Sequence, residues 1–178
     1  MTKNITQRII VIAVLCVIAT INTADTASRE YRWGADKKSV FTFYVKNTPH
    51  FEFSVSRMPS YKNKIMNYIL AIDSNLKDRI TIIRASSDPV RDYLFVNKKL
   101  YSVLEYHGRI PKNDLSDIIK NLSSVYRDPT IQKDKGLTIY SFMGDNTKVI
   151  TLARDKKNAV ECKTYFYASN LFRMLLSD

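Results

Sequence analysis

Alternating apolar and polar positions fill the middle and the end of the chain and predict antiparallel hairpins. Tyr93-Leu94-Phe95-Val96 and Leu100-Tyr101-Ser102-Val103-Leu104-Glu105-Tyr106 are rich in aromatic and β-branched residues and flank a short polar turn, Asn97-Lys98-Lys99. A second series follows the same logic. Strands over residues 137–143, 148–153 and 159–167, separated by Gly144-Asp145-Asn146 and Asp155-Lys156-Lys157-Asn158, predict a three-stranded meander. Residues 51–55 alternate with period two, and Ile80-Thr81-Ile82-Ile83 suits a buried strand. Residues 65–72 are apolar throughout and fit a helix or a strand equally.

Helical spacing replaces alternation at Leu115, Ile118, Ile119, Leu122, Val125 and Tyr126. Asn113 or Asp114 can cap the start of this helix, and Asp128-Pro129 stops it. A short C-terminal helix over residues 170–176 would turn Leu171, Leu175 and Phe172 inward. With four glycines and no glycine-rich loop, a dinucleotide or P-loop fold is disfavoured. The expected class is α+β: antiparallel β-meanders with helices packed on one face.

The first two dozen residues form a different pattern. Lys3 and Arg8 precede an unbroken apolar run from Ile9 to Ala19, and the composition turns polar from Thr20. That is the layout of a secretory signal peptide, with cleavage after Ala19, Ala24 or Ala27. The run is about half of the roughly 20 residues that span a bilayer core. Cys16 would suit lipidation only after a small residue, and Leu15 is not small. The expectation is a signal peptide over residues 1–24 and a single exported domain over residues 25–178, periplasmic or secreted, or held at a membrane surface.

Charge and cysteine content narrow the partners. The formal net charge is +11, and loss of Lys3 and Arg8 with the signal leaves +9, a surface that favours phospholipid head groups, acidic polymers or an acidic protein face. The basic residues are nevertheless scattered over turns, which also suits simple solubility. Cys162 is the only cysteine after residue 24, so no internal disulfide is expected, and its apolar run suits a buried small hydrophobe.

Catalytic signals are sparse. His50 and His107 are the only histidines, and neither His-x-x-x-His nor Cys-x-x-Cys spacing occurs, so no metal or cofactor is expected. Ser74-Asn75-Leu76-Lys77 matches Ser-x-x-Lys, but Lys163-Thr164 is followed by Tyr165 where penicillin-recognising enzymes carry glycine. Asp114 and Asp117 read as helix-start charges, and Asp145-Asn146 as a turn. Eleven tyrosines and a basic charge would suit nucleic acid, yet alternation sends most aromatics to a core and export removes the usual targets.

The order of motifs resembles a known family. Trp33-Gly34, Val40 six residues after that glycine, and Asn47-Thr48-Pro49 ahead of a strand resemble the opening of small outer-membrane assembly lipoproteins of the SmpA/OmlA type. Leu115 through Leu122 and Val125-Tyr126-Arg127-Asp128-Pro129, followed by a meander, resemble the same unit repeated. Two such units in tandem are similar to the β-lactamase-inhibitor protein, and the Trp-Gly opening also resembles exported bacterial proteins of unknown function. The likeness covers most of residues 31–168, with Asn47 and Arg127 in place of the family's left-handed stop glycine. It implies a helix over residues 40–45, against their strand-like composition.

The expected function is a non-catalytic exported module that binds another envelope component, an envelope protein or an anionic surface, through its sheet, with no nucleic acid and no small-molecule cofactor. Tyr31, Trp33, Tyr101 and Tyr106 are the candidate contacts wherever they are exposed, since aromatics dominate binding hot spots. The alternative is a hydrolase of unrecognised type built on His50 or His107, which requires a histidine to converge with a carboxylate or hydroxyl in a pocket.

Overall fold

A computed structural model describes residues 31–176; the signal segment expected over residues 1–24, its cleavage positions and Cys16 lie outside them. In chain order the elements are α1 (Lys37–Val40), running into a π-helical turn at Phe41–Val45, then β1 (His50–Ser54), α2 (Lys64–Ile72) and a 3-10 segment, Ser74–Arg79. Next come β2 (Ile80–Ala85), β3 (Val90–Val96), β4 (Lys99–Ile110) and α3 (Lys112–Tyr126). The chain continues with β5 (Thr130–Asp134), β6 (Leu137–Met143), β7 (Thr147–Lys156), β8 (Ala159–Ala168) and α4 (Leu171–Leu176). The strands form one antiparallel sheet in the order β1-β2-β3-β4-β8-β7-β6-β5.

Local chemistry accounts for the turns and helix ends. Asn97 and Lys98 have φ of 48° and 67°, the positive values a two-residue hairpin needs, so β3 and β4 meet where the sequence predicts. The Asn63 side chain accepts from the backbone N–H groups of Ile65 and Met66, and this cap settles the ambiguous run as the helix α2. Residues 40–45 are helical as the resemblance implies, though five of them take the wider π form.

Three expectations are corrected. Helices lie on both faces of the sheet, not one. Ile65, Met66 and Ile69 of α2 join a cluster with Ile82, Leu94 and Leu104, whereas Tyr126 of α3 and Val40 at the end of α1 join Ile83, Tyr93, Phe95 and Val103. Because neighbours along a strand point to opposite sides, these two clusters lie on opposite faces; we call them face 1, with α2 and α4, and face 2, with α1 and α3. The helix ends are also the reverse of the residue preferences. Arg127 takes φ of 64°, whereas Asn47 is not among the described residues with positive φ. Finally, α3 starts earlier than Asn113, with Pro111 at the cap position and no side-chain cap bond.

The two faces are covered unequally. In the middle of the sheet β3 is buried on both sides, every residue from Arg91 to Val96 included. On β7 and β8 burial alternates. Thr147, Val149, Thr151, Ala153, Cys162, Thr164 and Phe166 are buried on face 2, while Lys148, Ile150, Leu152, Glu161 and Lys163 are only half-buried on face 1. Face 1 is therefore only thinly covered over β6, β7 and the start of β8, its bare part, whereas Tyr165 further along β8 is buried with the α2 cluster; β5 beyond is exposed along its whole length. Leu104 sits where face 1 is fully covered, with no exposed surface. Leu104→Ala is expected to lower unfolding free energy by about 2–5 kcal/mol, read from the urea midpoint at unchanged slope.

Candidate functional site

Two polar clusters and one basin are built on this sheet. The first cluster lies on face 1 beneath α2. Asp92, whose side chain has no exposed surface, sits opposite Arg84 in the β2–β3 register. Arg84 donates from Nε and Nη2 to the two carboxylate oxygens of Asp92, both at 2.6 Å. Tyr61 Oη donates to Asp92 Oδ2 at 2.9 Å, and Asn63 Nδ2 donates to Tyr61 Oη at 3.2 Å, so the residue that caps α2 also ends this chain of bonds. Tyr106 stands beside this pair, with the Arg84 guanidinium 5.3 Å from the centre of its ring. Burial and then the Asp92 charge push both tyrosines above the ordinary phenol range, while the Asp92 hydrogen bonds hold Arg84 further above its own. The charges are matched and the Tyr61 hydroxyl is bonded, which makes this a clasp between α2, β2 and β3, with Tyr106 of β4 packed against Arg84.

The second cluster lies on face 2, where β4 meets β8. Arg91 Nε donates to Glu105 Oε1 at 2.7 Å, and His107 Nε2 lies 3.7 Å from Glu105 Oε2 and 3.3 Å from Thr164 Oγ1. Thr164 in turn bonds to Thr151 at 3.1 Å. Strand alternation puts His107 on the same side as Glu105, two residues before it, and the register shift between Tyr106 and Gly108 leaves His107 without a partner residue on β8. Burial lowers the His107 pKa and Arg91 lowers it further, outweighing the opposite pull of Glu105 and Asp88. Burial pushes the neighbouring Cys162 thiol up to about 12, so the thiol stays protonated and a weak nucleophile.

The basin opens on the bare part of face 1. It holds about 390 Å³ and is lined by Leu137 from β6, Leu152, Arg154 and Lys156 from β7, and Glu161, Lys163 and Tyr165 from β8. Strand alternation makes this rim. Arg154 and Lys156 are two residues apart, as are Glu161, Lys163 and Tyr165, so all five project to one side. Glu161 lies 3.4 Å from Lys156 and 3.9 Å from Lys163, and the side chains of the three are 42%, 36% and 40% exposed. Lys163 Nζ also stands 5.6 Å from the centre of the Tyr106 ring, and Arg84 is 5.3 Å from the same ring, which links the basin to the clasp.

The four aromatic candidates separate on this map. Tyr101 has no exposed surface and Tyr31 is 5% exposed, so both belong to the core. Trp33 is half-buried, and its Nε1 donates to Thr147 Oγ1 at 2.9 Å, tying the start of the described chain to β7. Tyr106 alone borders the bare face. His50 starts the edge strand β1, exposed, with its ring on Phe41, and is not brought near His107. Among the described residues no group of three or more His, Cys, Asp or Glu side chains is placed to hold a metal ion, and no helix is long and apolar enough to cross a membrane.

Sequence reasoning missed Asp92 and the basin rim. The signal for Asp92 was present: Arg91-Asp92 interrupts an otherwise apolar strand, and a charge at such a position needs a partner. The rim could be read only with the β7–β8 register in hand. No protein-family model, curated protein or solved structure matches the chain.

Asp92→Ala leaves the Arg84 guanidinium without its carboxylate and is expected to cost about 3–5 kcal/mol of stability by urea denaturation. The His107 shift gives a pH dependence. With a folded pKa below the ordinary 6.5, the protein holds the neutral ring, so this stabilisation is complete above about pH 6.5 and is lost as pH falls toward the lowered value. His107→Gln is expected to flatten that acid-side decline, measured as the urea midpoint against pH.

Proposed function

We propose that this chain is an exported, non-catalytic binding module that docks an anionic component of the cell envelope on the bare part of face 1. The observation that carries the reading is the unequal cover of the sheet. A domain able to bury both sides of β3 leaves Ile139, Ile150 and Leu152 half-buried beside Arg154, Lys156 and Lys163. Apolar surface framed by cations suits an acidic partner, and the chain's excess of basic residues would draw such a partner in. The signal-like residues 1–24 support export.

The order of elements supports the finer architectural reading as well. A helical segment and β1 to β4, then a helix and β5 to β8, joined where β4 pairs with β8, fit two tandem helix-plus-meander units of the SmpA/OmlA type. The hydrolase alternative has one observation in its favour, the approach of His107 to Glu105 and Thr164. Its components are committed elsewhere. Glu105 carries the Arg91 ion pair, Thr164 is bonded to Thr151, and the His107 and Glu105 side chains are 12% and 13% exposed. The cluster is better read as a polar seam in the core.

Photo-cross-linking residues placed at Ile139 or Lys148 on face 1, in the protein expressed in its native envelope, are expected to capture one dominant species. The same residue at Ser116, on the exposed side of α3, is expected to capture none. Equal capture at all three positions, or none at any, would overturn the reading.

A further inference from the structure

The basin does more than carry charge, and its shape and chemistry name a class of ligand. We propose that it is a binding site for one acidic sugar unit, carboxylated or phosphorylated, of an anionic glycan. This rests on the binding-module reading above and gives its ligand a chemical identity.

Size is the first argument. About 390 Å³ falls within the range of small-molecule sites and admits a sugar ring with its substituents. The rim is the second. Arg154, Lys156 and Lys163 place three cations around a single carboxylate, Glu161, which leaves an excess of two positive charges for the ligand's acid group. Glu161 adds what hydroxyl groups need, an acceptor within the same basin. Leu137 and Leu152 supply apolar surface against which the C–H face of a ring can lie.

The position of the basin argues against an extended acidic peptide. Such peptides commonly bind by adding a strand to a sheet edge, using backbone groups. Here the backbone is committed, because β7 is paired continuously with β8 and with β6 on its other side. Recognition over this part of the sheet has to come from side chains, which suits a ring bearing hydroxyl and acid groups.

The pairing of Glu161 gives the proposal a distinctive sign. Its contacts to Lys156 and Lys163, at 3.4 and 3.9 Å between half-exposed groups, are loose and contribute little to stability. In the unliganded protein Glu161 stands where the acid group of the ligand would make its ion pairs. A bound sugar acid takes over the two lysines, and Glu161 turns to its hydroxyl groups. Arg154 has no carboxylate within ion-pair distance among the described residues, so its charge is the one at the rim that Glu161 does not offset.

The test is calorimetric titration of the full chain with tetragalacturonate, with the neutral galactose tetrasaccharide and tetraglutamate as controls. Binding is expected for the uronate alone. Arg154→Ala and Lys163→Ala are expected to weaken it at least about tenfold. Lys98→Ala, which removes the same charge at the opposite end of the sheet, is expected to change it less than about twofold, and Arg154→Lys is expected to restore part of the loss. Glu161→Gln, which removes the competing charge and turns one of the two hydroxyl-accepting oxygens into an N–H donor, should strengthen binding of a plain anion, inorganic phosphate, while reducing the preference for the sugar acid over it. Equal binding of tetraglutamate, equal effects of Arg154→Ala and Lys98→Ala, or no binding of the uronate would overturn the sugar-acid site. If the uronate fails while face-1 cross-linking still captures a partner, only the ligand class falls; if both fail, the binding-module reading falls with it.

Discussion

The pairing of β4 with β8 is the interaction on which the rest of the molecule depends. It runs from Ser102 opposite Tyr167 to Ile110 opposite Val160 and joins two meanders that are otherwise separate in sequence. The cluster around His107, and the contact that links the Asp92 clasp to the basin, take their geometry from it. On one side it sets Glu105 opposite Thr164, and on the other Tyr106 opposite Lys163. Alternation carries His107 with Glu105 onto face 2, and the register shift between Tyr106 and Gly108 leaves it as the one residue there without a partner on β8.

Once this ladder is in place, each face answers a different physical demand. Face 2 is closed by α1, α3 and an aromatic group in which Tyr31 lies 5.3 Å from Phe166 and 5.6 Å from Trp33 and Tyr44, ring centre to ring centre. Face 1 is closed over its first half by α2 and fastened by the Asp92 clasp, whose buried charge is tolerable only because Arg84 and Tyr61 converge on it. The covered half thus acts as a rigid frame for the open half. Tyr106, whose ring lies against Arg84 of the clasp and Lys163 of the basin, is the side chain that spans the two.

What was legible in the sequence follows from how local the cause was. The hairpin at Asn97-Lys98, the meander after residue 137 and the stripe of α3 were readable because a turn or a period specifies each. β5 was missed, since Thr130–Asp134 is short and exposed on both sides and has no apolar face to announce it. Its only mark is the Lys135-Gly136 turn, where both residues have positive φ. The side of the sheet on which each helix lies was not readable at all. Ile82 and Ile83 are both apolar, and only the fold decides that one meets α2 and the other α1. The same holds for the basin, whose seven residues come from three strands and become neighbours only through register.

The sheet order has a consequence for how the chain reaches its native state. The last strand made, β8, sits in the middle of the sheet, and the first strand of each meander lies at an edge. β1 to β4 can assemble by local contacts, but the free side of β4, twelve residues long, keeps its backbone groups unpaired until residue 168 has emerged. For that interval the growing chain carries a long, apolar strand edge of the kind that pairs with other chains. A chain built this way gains from shielding of its nascent first meander, and truncation within β8 would turn a transient edge into a permanent one.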